Sequence, residues 1–153
     1  MRNPYQRKVA SRSTSVLNPQ ETYDKFIETV IAQGFVVGLF NEGWALCVTP
    51  TGQKAFAVWH QKSLAKLLIR DTWENYKVEE ISLKNFIEKV IPYLKTDDTA
   101  ISINLGPEGQ NVLVAPKKII LDLKTSLYQL YLDRPDIYQA LNIPLPRNIR
   151  LNR

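Results

Sequence analysis

Three short β-type segments in succession place the strongest constraint on how this chain folds. They are FVVGLF (35–40), WALCVT (44–49) and KAFAVW (54–59), and only three or four residues separate each from the next. Each connection contains a glycine, which supplies the positive φ that tight hairpin turns require. The spacing therefore predicts an antiparallel meander of three strands.

Apolar residues at helical spacing predict helices on both sides of this meander. The predicted helices are 19–33, a short helix capped by Ser63, 83–94 capped by Ser82, and about 116–132. Asn18 provides an N-cap for the first helix and Gly34 a C-terminal stop. Pro92 is expected to end or bend the third helix, because proline removes a backbone donor and crowds the preceding turn.

Three further segments complete the predicted fold, and they are YKVEEI (76–81), TAISINL (99–105) and NVLVAP (111–116). The last two flank GPEGQ (106–110), which we interpret as a hairpin turn because no helix follows it to cradle a phosphate. The order α-β-β-β-α-β-α-β-β-α predicts an α+β fold, with a mostly antiparallel sheet of five to six strands and helices packed on it.

Composition divides the chain into a basic N-terminal tail (1–17), a single α+β domain (18–132) and a C-terminal Pro-containing arm (133–153). The tail is rich in Arg, Ser, Asn and Thr and has no apolar period, which is typical of a mobile segment. The arm is too apolar for a free tail. We expect it to dock on its own domain or on a partner, with one helical turn near 135–141.

The net charge of +5 lies entirely at the two ends of the chain. Residues 1–18 contribute +4 and residues 132–153 contribute +2, so the stretch between them carries −1. A folded nucleic-acid platform normally carries a basic stripe on its own surface. Anion binding is therefore predicted only for the tails, and the predicted anion-binding residues are Arg2, Arg7, Lys8 and Arg12.

The only cysteine and the only histidine, Cys47 and His60, lie in the same predicted hairpin. Pairing of its strands is expected to keep the two side chains too far apart to share a proton. We interpret Cys47 as a small buried residue, whose apolar neighbours raise its pKa, and His60 as a surface or loop histidine. The sequence thus predicts no enzyme, no metal site and no cofactor.

A single cysteine excludes an internal disulfide and favours a reducing compartment. No secretory signal and no apolar run of about 18 residues is present, so we expect a cytoplasmic protein without a membrane span.

Aromatic side chains concentrate in the second hairpin and in the loop beyond it. They are Trp44, Trp59, Trp73 and Tyr76. Trp44 and Trp59 open and close the hairpin, so we expect them to face each other as a cross-strand pair. Two interpretations stay open, namely core packing and a binding hot spot rimmed by Asp71 and Glu74.

Five segments carry a resemblance to a known family, and they are EGWAL (42–46), FAVW (56–59), W..Y (73–76), ISLKNFIEKVIPYL (81–94) and INLGPEGQNVLVAPKKI (103–119). Over roughly residues 21–123 the chain resembles the bacterial family catalogued as domain of unknown function 2750. The resemblance implies a small α+β protein of the general kind found among secretion accessory and toxin-immunity proteins. It implies no established activity and no catalytic residues. The chain departs from the family in its basic N-terminal extension and after about residue 124.

The predicted function is a non-catalytic protein-binding module, such as an immunity protein or accessory subunit. It would dock on a partner protein through its aromatic hairpin surface and terminal arms. The predicted partner-binding residues are Trp44, Trp59, Trp73, Tyr76, Tyr138, Arg147 and Arg150. The alternative is a nucleic-acid-associated protein that binds phosphates through its basic tails. The identity of the partner and the oligomeric state stay open.

Overall fold

A computed structural model describes residues 18–143, and it confirms the α+β fold with six strands. The elements in chain order are α1 (Pro19–Gln33), β1 (Phe35–Phe40), β2 (Leu46–Val48), β3 (Lys54–Val58), α2 (Lys62–Lys66), a 3-10 turn (Asp71–Trp73), β4 (Lys77–Ser82), α3 (Leu83–Asn85), a π-helical turn (Phe86–Val90), α4 (Ile91–Thr96), β5 (Ala100–Ile103), β6 (Val112–Val114), α5 (Pro116–Asp133) and α6 (Pro135–Ala140). The predicted tail (1–17) and the last ten residues of the arm lie outside the described residues.

Helix α1 has the boundaries that its local sequence predicts. The Asn18 side chain accepts a hydrogen bond from the backbone N–H of Glu21 at 2.8 Å, and the Glu21 carboxylate accepts one from the N–H of Asn18 at 3.1 Å. This reciprocal pair satisfies two N–H groups that no helical turn can reach. At the other end Gly34 has a φ of 86°, which ends the helix.

The strands form two sheets, and this corrects the predicted three-stranded meander. β2 and β3 form the expected hairpin, as do β5 and β6, in a four-stranded sheet of order β2-β3-β5-β6. β1 instead pairs antiparallel with β4 in a separate two-stranded sheet. It meets the β2–β3 hairpin through two isolated bridges, one between Phe40 and Trp44 and one between Val37 and Trp59. β4 offers β1 a ladder of six residues, whereas β2 has only three.

One strand pair in the four-stranded sheet is parallel. β3 and β5 run side by side from Ala55 opposite Ala100 to Val58 opposite Ile103. The crossover between them contains α2, β4 and the helical segment from α3 to α4. The carboxyl ends of two neighbouring strands therefore open at the same edge of the sheet.

The structure differs from the prediction at Ser63, and at Pro92 it excludes one of the two predicted outcomes. Ser63 lies inside α2, which begins after Gln61 without a side-chain cap. Pro92 does not end its helix, which continues through Thr96. Just before the proline, the N–H of Ile91 donates to the carbonyl of Phe86, five residues back. Such a wider turn makes room for the ring of Pro92, while Ser82 caps the helix as predicted.

Two hydrophobic clusters lie on opposite faces of the four-stranded sheet. The main core fills the space between the sheet and helices α1, α3, α4 and α5. The smaller Trp59 core lies against α2 and the 3-10 turn. Since successive strand residues point to opposite faces, Phe56 and Val58 enter the main core while Ala57 and Trp59 enter the Trp59 core.

Candidate functional site

Cys47 and His60 lie on opposite faces of the sheet, so they do not form a catalytic pair. Cys47 is opposite Ala55 in the β2–β3 register, which places it on the side of Ala57 and Trp59. His60 is on the other side, where its ring meets Phe26 edge-on at 6.4 Å. Burial raises the pKa of the Cys47 thiol, and a hydrogen bond with Ser102 only partly opposes this. A raised pKa leaves the sulfur protonated and weakly nucleophilic.

His60 lies in the connection between β3 and α2, as a loop histidine would, but it is buried, which corrects the alternative of a surface histidine. Only 7% of the residue is exposed. The Gln33 side chain donates to its carbonyl at 2.8 Å, and its own N–H donates to Oδ1 of Asn104 at 3.3 Å. Burial, more than any charge, lowers the pKa of the ring below its usual 6.5. Gln33 and Asn104 are 27 and 44 positions away from His60 in the chain, so no local sequence pattern predicts these contacts.

Trp44 and Trp59 do not face each other, which corrects the predicted cross-strand pair. Trp44 packs on the main-core side, 5.0 Å from Phe40 and 6.1 Å from Phe56 between ring centroids. Trp59 is fully buried on the opposite side, where its indole N–H donates to the carbonyl of Leu105 at 2.8 Å. A fully buried side chain has no surface to offer, so Trp59 is withdrawn from the predicted partner-binding residues.

Trp73 and Tyr76 belong with Trp59 rather than with Trp44. The ring of Trp73 meets Trp59 edge-on at 6.4 Å, and Tyr76 follows at 6.3 Å from Trp73. Both are half-buried against the Trp59 core. Asp71 and Glu74 are exposed beside them, as the predicted rim requires.

Tyr138, a predicted binding residue of the C-terminal arm, lies in the interior. It is 3% exposed in the main core, with Tyr131 of α5 edge-on at 5.3 Å. Its assignment to a partner-binding surface is therefore corrected, and it anchors α6 on α5. The remaining predicted binding residues lie outside the described residues, and they are Arg2, Arg7, Lys8, Arg12, Arg147 and Arg150.

An exposed apolar patch adjoins Trp44, which is half-buried. We define the β2 surface as Phe40, Trp44, Leu46 and Val48. Phe40 is 39% exposed, Leu46 is 48% exposed and Val48 is 67% exposed. Trp44 lies across Gly38, where an added Cβ would come within 2.9 Å of the indole ring. The glycine thus admits the indole against β1.

The backbone of β2 is also open on one side. The carbonyl of Ala45 and the N–H of Thr49 both bond to the β3 side of the hairpin. Since alternate residues of an antiparallel strand bond to the same neighbour, the backbone groups of Leu46 and Val48 point the other way. In residues 18–143 no other strand pairs with that edge.

Sequence reasoning missed Phe40, Leu46 and Val48 as surface residues. WALCVT is apolar throughout, which is typical of a strand buried on both faces. The available signal was the polar first residue of the partner strand, Lys54, which lies opposite Val48. An exposed lysine at that register marks the outer end of the hairpin.

Within residues 18–143, the helices lack the combination of length and apolar character that crossing a membrane requires.

A family model described as protein of unknown function (DUF2750) matches residues 23–123, which is more than half of the 153-residue chain. No curated protein matches the chain.

Proposed function

The chain belongs to the DUF2750 family, whose function is unknown, and we propose that it is a non-catalytic protein-binding module. The observation that carries this proposal is the β2 surface, where exposed apolar side chains adjoin an open strand edge. The partner is a protein that supplies an extended segment. An immunity protein or an accessory subunit would use such a contact.

The exposed side chains support a protein partner in particular. Soluble proteins rarely leave aromatic and aliphatic groups together at a strand edge unless something covers them. Tryptophan is enriched at the centre of protein interfaces because it buries a large area and loses little side-chain entropy. Trp44 is rigid already, since Phe40 and Phe56 pack against it. Binding would therefore cost little side-chain conformational entropy at Trp44.

The open backbone supports an extended partner segment. Leu46 and Val48 present N–H and C=O groups that a strand can pair with, while their side chains offer apolar contact. Addition of a strand to a sheet edge obtains affinity from the backbone bonds and specificity from alternate side chains.

The test combines site-specific photocrosslinking with a binding measurement. A photoreactive amino acid in place of Val48 would crosslink the protein that lies beside β2. The crosslinking would be done in cells of the organism that produces this protein. The captured protein would then be purified and titrated against the wild type. We expect Leu46→Thr with Val48→Thr to weaken that binding at least about tenfold, the equivalent of roughly 1.4 kcal/mol. The matched control is Leu121→Gln on α5, which is exposed to a similar extent but lies outside the β2 surface.

Two results would contradict the proposal. One is the absence of any crosslinked protein at Val48 under conditions where the chain is abundant. The other is a captured partner whose affinity changes equally in the β2 variant and in Leu121→Gln, since this would show that contact at β2 is incidental.

The basic tails carry the alternative proposal, binding to nucleic acid. Its support is the charge surplus confined to residues 1–18 and 132–153. Replacement of Arg2, Arg7, Lys8 and Arg12 by glutamine in the full chain should abolish most binding to duplex DNA or RNA and flatten its salt dependence. Binding that persists unchanged, or that does not vary with salt, would exclude this mechanism.

A further inference from the structure

A cavity of about 410 Å³ opens where the parallel strands β3 and β5 end. Its lining residues lie on α1, at His60 and on α2, and between residues 103 and 112. The last range spans the end of β5, the β5–β6 connection and the start of β6. Ligands of open α/β sheets bind at this kind of place, outside the carboxyl ends of parallel strands. The volume suits a small organic molecule. None of the lining residues belongs to the β2 surface, so this inference goes beyond the proposed function.

The electrostatics of the cavity favour an anion. Among its lining residues only Lys25 carries a full charge at neutral pH, and no carboxylate is among them. No described carboxylate pairs with Lys25, because it takes part in none of the ion pairs of residues 18–143. An ammonium group without a counter-ion at a cavity wall attracts a negatively charged ligand.

His60 provides a second donor, and its tautomer follows from its contacts with Asn104. The backbone N–H of His60 can only donate, so the Asn104 atom that it meets at 3.3 Å is the amide oxygen. The amide nitrogen then lies 2.9 Å from Nδ1 of the ring, closer than the amide oxygen at 3.3 Å. An amide nitrogen donates, so Nδ1 accepts and the neutral ring carries its proton on Nε2. No hydrogen-bond partner of Nε2 is present among residues 18–143.

The rest of the wall is mainly apolar. Its aliphatic and proline members are Pro19, Leu64, Leu67, Ile103, Leu105, Pro107 and Val112. A ligand that fills the cavity must therefore place carbon atoms against most of the lining. Lys25 and the buried His60 are the two titratable residues of the lining.

We propose that this cavity binds a small monocarboxylate with an apolar body. The carboxylate accepts hydrogen bonds from the Lys25 ammonium group and from Nε2–H of His60, and the apolar body lies against Leu64, Leu67 and Leu105. A single negative charge matches the single positive charge of the wall. A buried neutral donor is satisfied by an acceptor, whereas an apolar ligand alone would leave Nε2–H unpaired.

The experiment uses the full chain and a pair of probes of similar shape, one an anion and the other neutral. Phenylacetate and phenylacetamide would be titrated against ¹⁵N-labelled protein by NMR and calorimetry. We expect phenylacetate to shift the Nε2–H signal of His60, whose assignment is direct because the chain has one histidine. Phenylacetamide should bind at least roughly tenfold more weakly, as expected for loss of one charge-assisted hydrogen bond.

Substitution of the lysine separates a specific site from general attraction to a basic protein. Lys25→Met keeps the aliphatic stem and should weaken phenylacetate binding about tenfold. Lys89→Met is the matched control, because Lys89 is also exposed on a helical segment but does not line the cavity. The proposal is overturned if phenylacetate, benzoate and hexanoate all fail to bind. It is overturned equally if the amide binds as well as the acid, or if Lys89→Met has the effect of Lys25→Met. None of these results depends on whether β2 binds a protein.

Discussion

Trp44 and Trp59 stand at the two ends of one hairpin, yet one forms part of a surface and the other forms part of the interior. Trp44 is half-buried on the main-core side, across Gly38 of β1. Trp59 is fully buried on the opposite side, with a hydrogen bond to Leu105 and an edge-on contact with Trp73. The same residue type is thus fully buried at one end of the hairpin and half-buried at the other.

The difference arises from strand parity and from what covers each face. Trp59 shares its face with Ala57, and helix α2 covers both residues through Ala65. Trp44 shares its face with Phe56 and lies beside β2, the edge strand of the four-stranded sheet. An aromatic-rich hairpin is therefore not one feature but two, and each half can be tested separately.

The largest effect is expected from truncation of the buried tryptophan. Trp59→Ala should reduce the free energy of unfolding by about 3–5 kcal/mol, because it leaves a cavity in the Trp59 core. It also leaves the carbonyl of Leu105 without its donor. Urea unfolding followed by circular dichroism measures the loss. Trp44→Ala should cost clearly less, and equal costs for the two variants would break the comparison.

A smaller loss is expected from filling the space beneath the surface tryptophan. Gly38→Ala would bring a methyl group to 2.9 Å from the indole of Trp44. Since β1 and the indole are both packed in place, we expect a cost of about 1–3 kcal/mol in urea unfolding. Gly43→Ala is the control, because an added Cβ there meets nothing within 4 Å. If both glycine variants unfold alike, Gly38 does not hold Trp44 in place.

The histidine tests whether the cavity end of the hairpin is as enclosed as its burial indicates. Burial lowers the pKa of His60 in the folded chain, and Lys25 is the charged group that adds to this. The unfolded chain therefore binds more protons just below pH 6.5, so stability should fall as the pH decreases through that value. NMR titration of the single histidine gives its pKa directly. A folded-state pKa at or above 6.5 would contradict the enclosed placement.

The smallest effect on stability is expected at the β2 surface itself. Leu46→Thr with Val48→Thr keeps residues that suit a strand and removes only exposed apolar groups. Each change should alter the free energy of unfolding by no more than about 0.5 kcal/mol. Val58→Thr in the same hairpin buries a hydroxyl in the main core and should cost about 1–3 kcal/mol. A large loss in the β2 variant would mean that this surface stabilises the fold rather than serving a partner.

Local signals predicted the helices more accurately than the sheet. The capping pair of Asn18 and Glu21 and the stop at Gly34 involve neighbours within four residues, and α1 has the predicted bounds. The two tight hairpins were equally local and were also predicted. The pairing of β1 with β4 and the parallel pairing of β3 with β5 join segments more than 35 residues apart. No hydrophobic period encodes such a choice of neighbour.

The candidate sites divide in the same way. Trp44 was identified from its residue type and its place at the start of a strand. The burial of His60 and Tyr138, and the exposure of Leu46 and Val48, depend on which element covers each face. The predictions for the basic tails and for the arm residues Arg147 and Arg150 fall outside residues 18–143 and stay predictions.

By itself the sequence determined the bounds of α1, which segments extend, and that one cysteine and one histidine share a hairpin. Caps, turns and side-chain periodicity act over a few residues, so they can be identified along the chain. Only the tertiary structure decided that Cys47 and His60 lie on opposite faces, that the two tryptophans separate, and that the ends of β3 and β5 enclose a cavity. Those results depend on contacts between distant segments, whose competition is settled by burial and by the available strand partners.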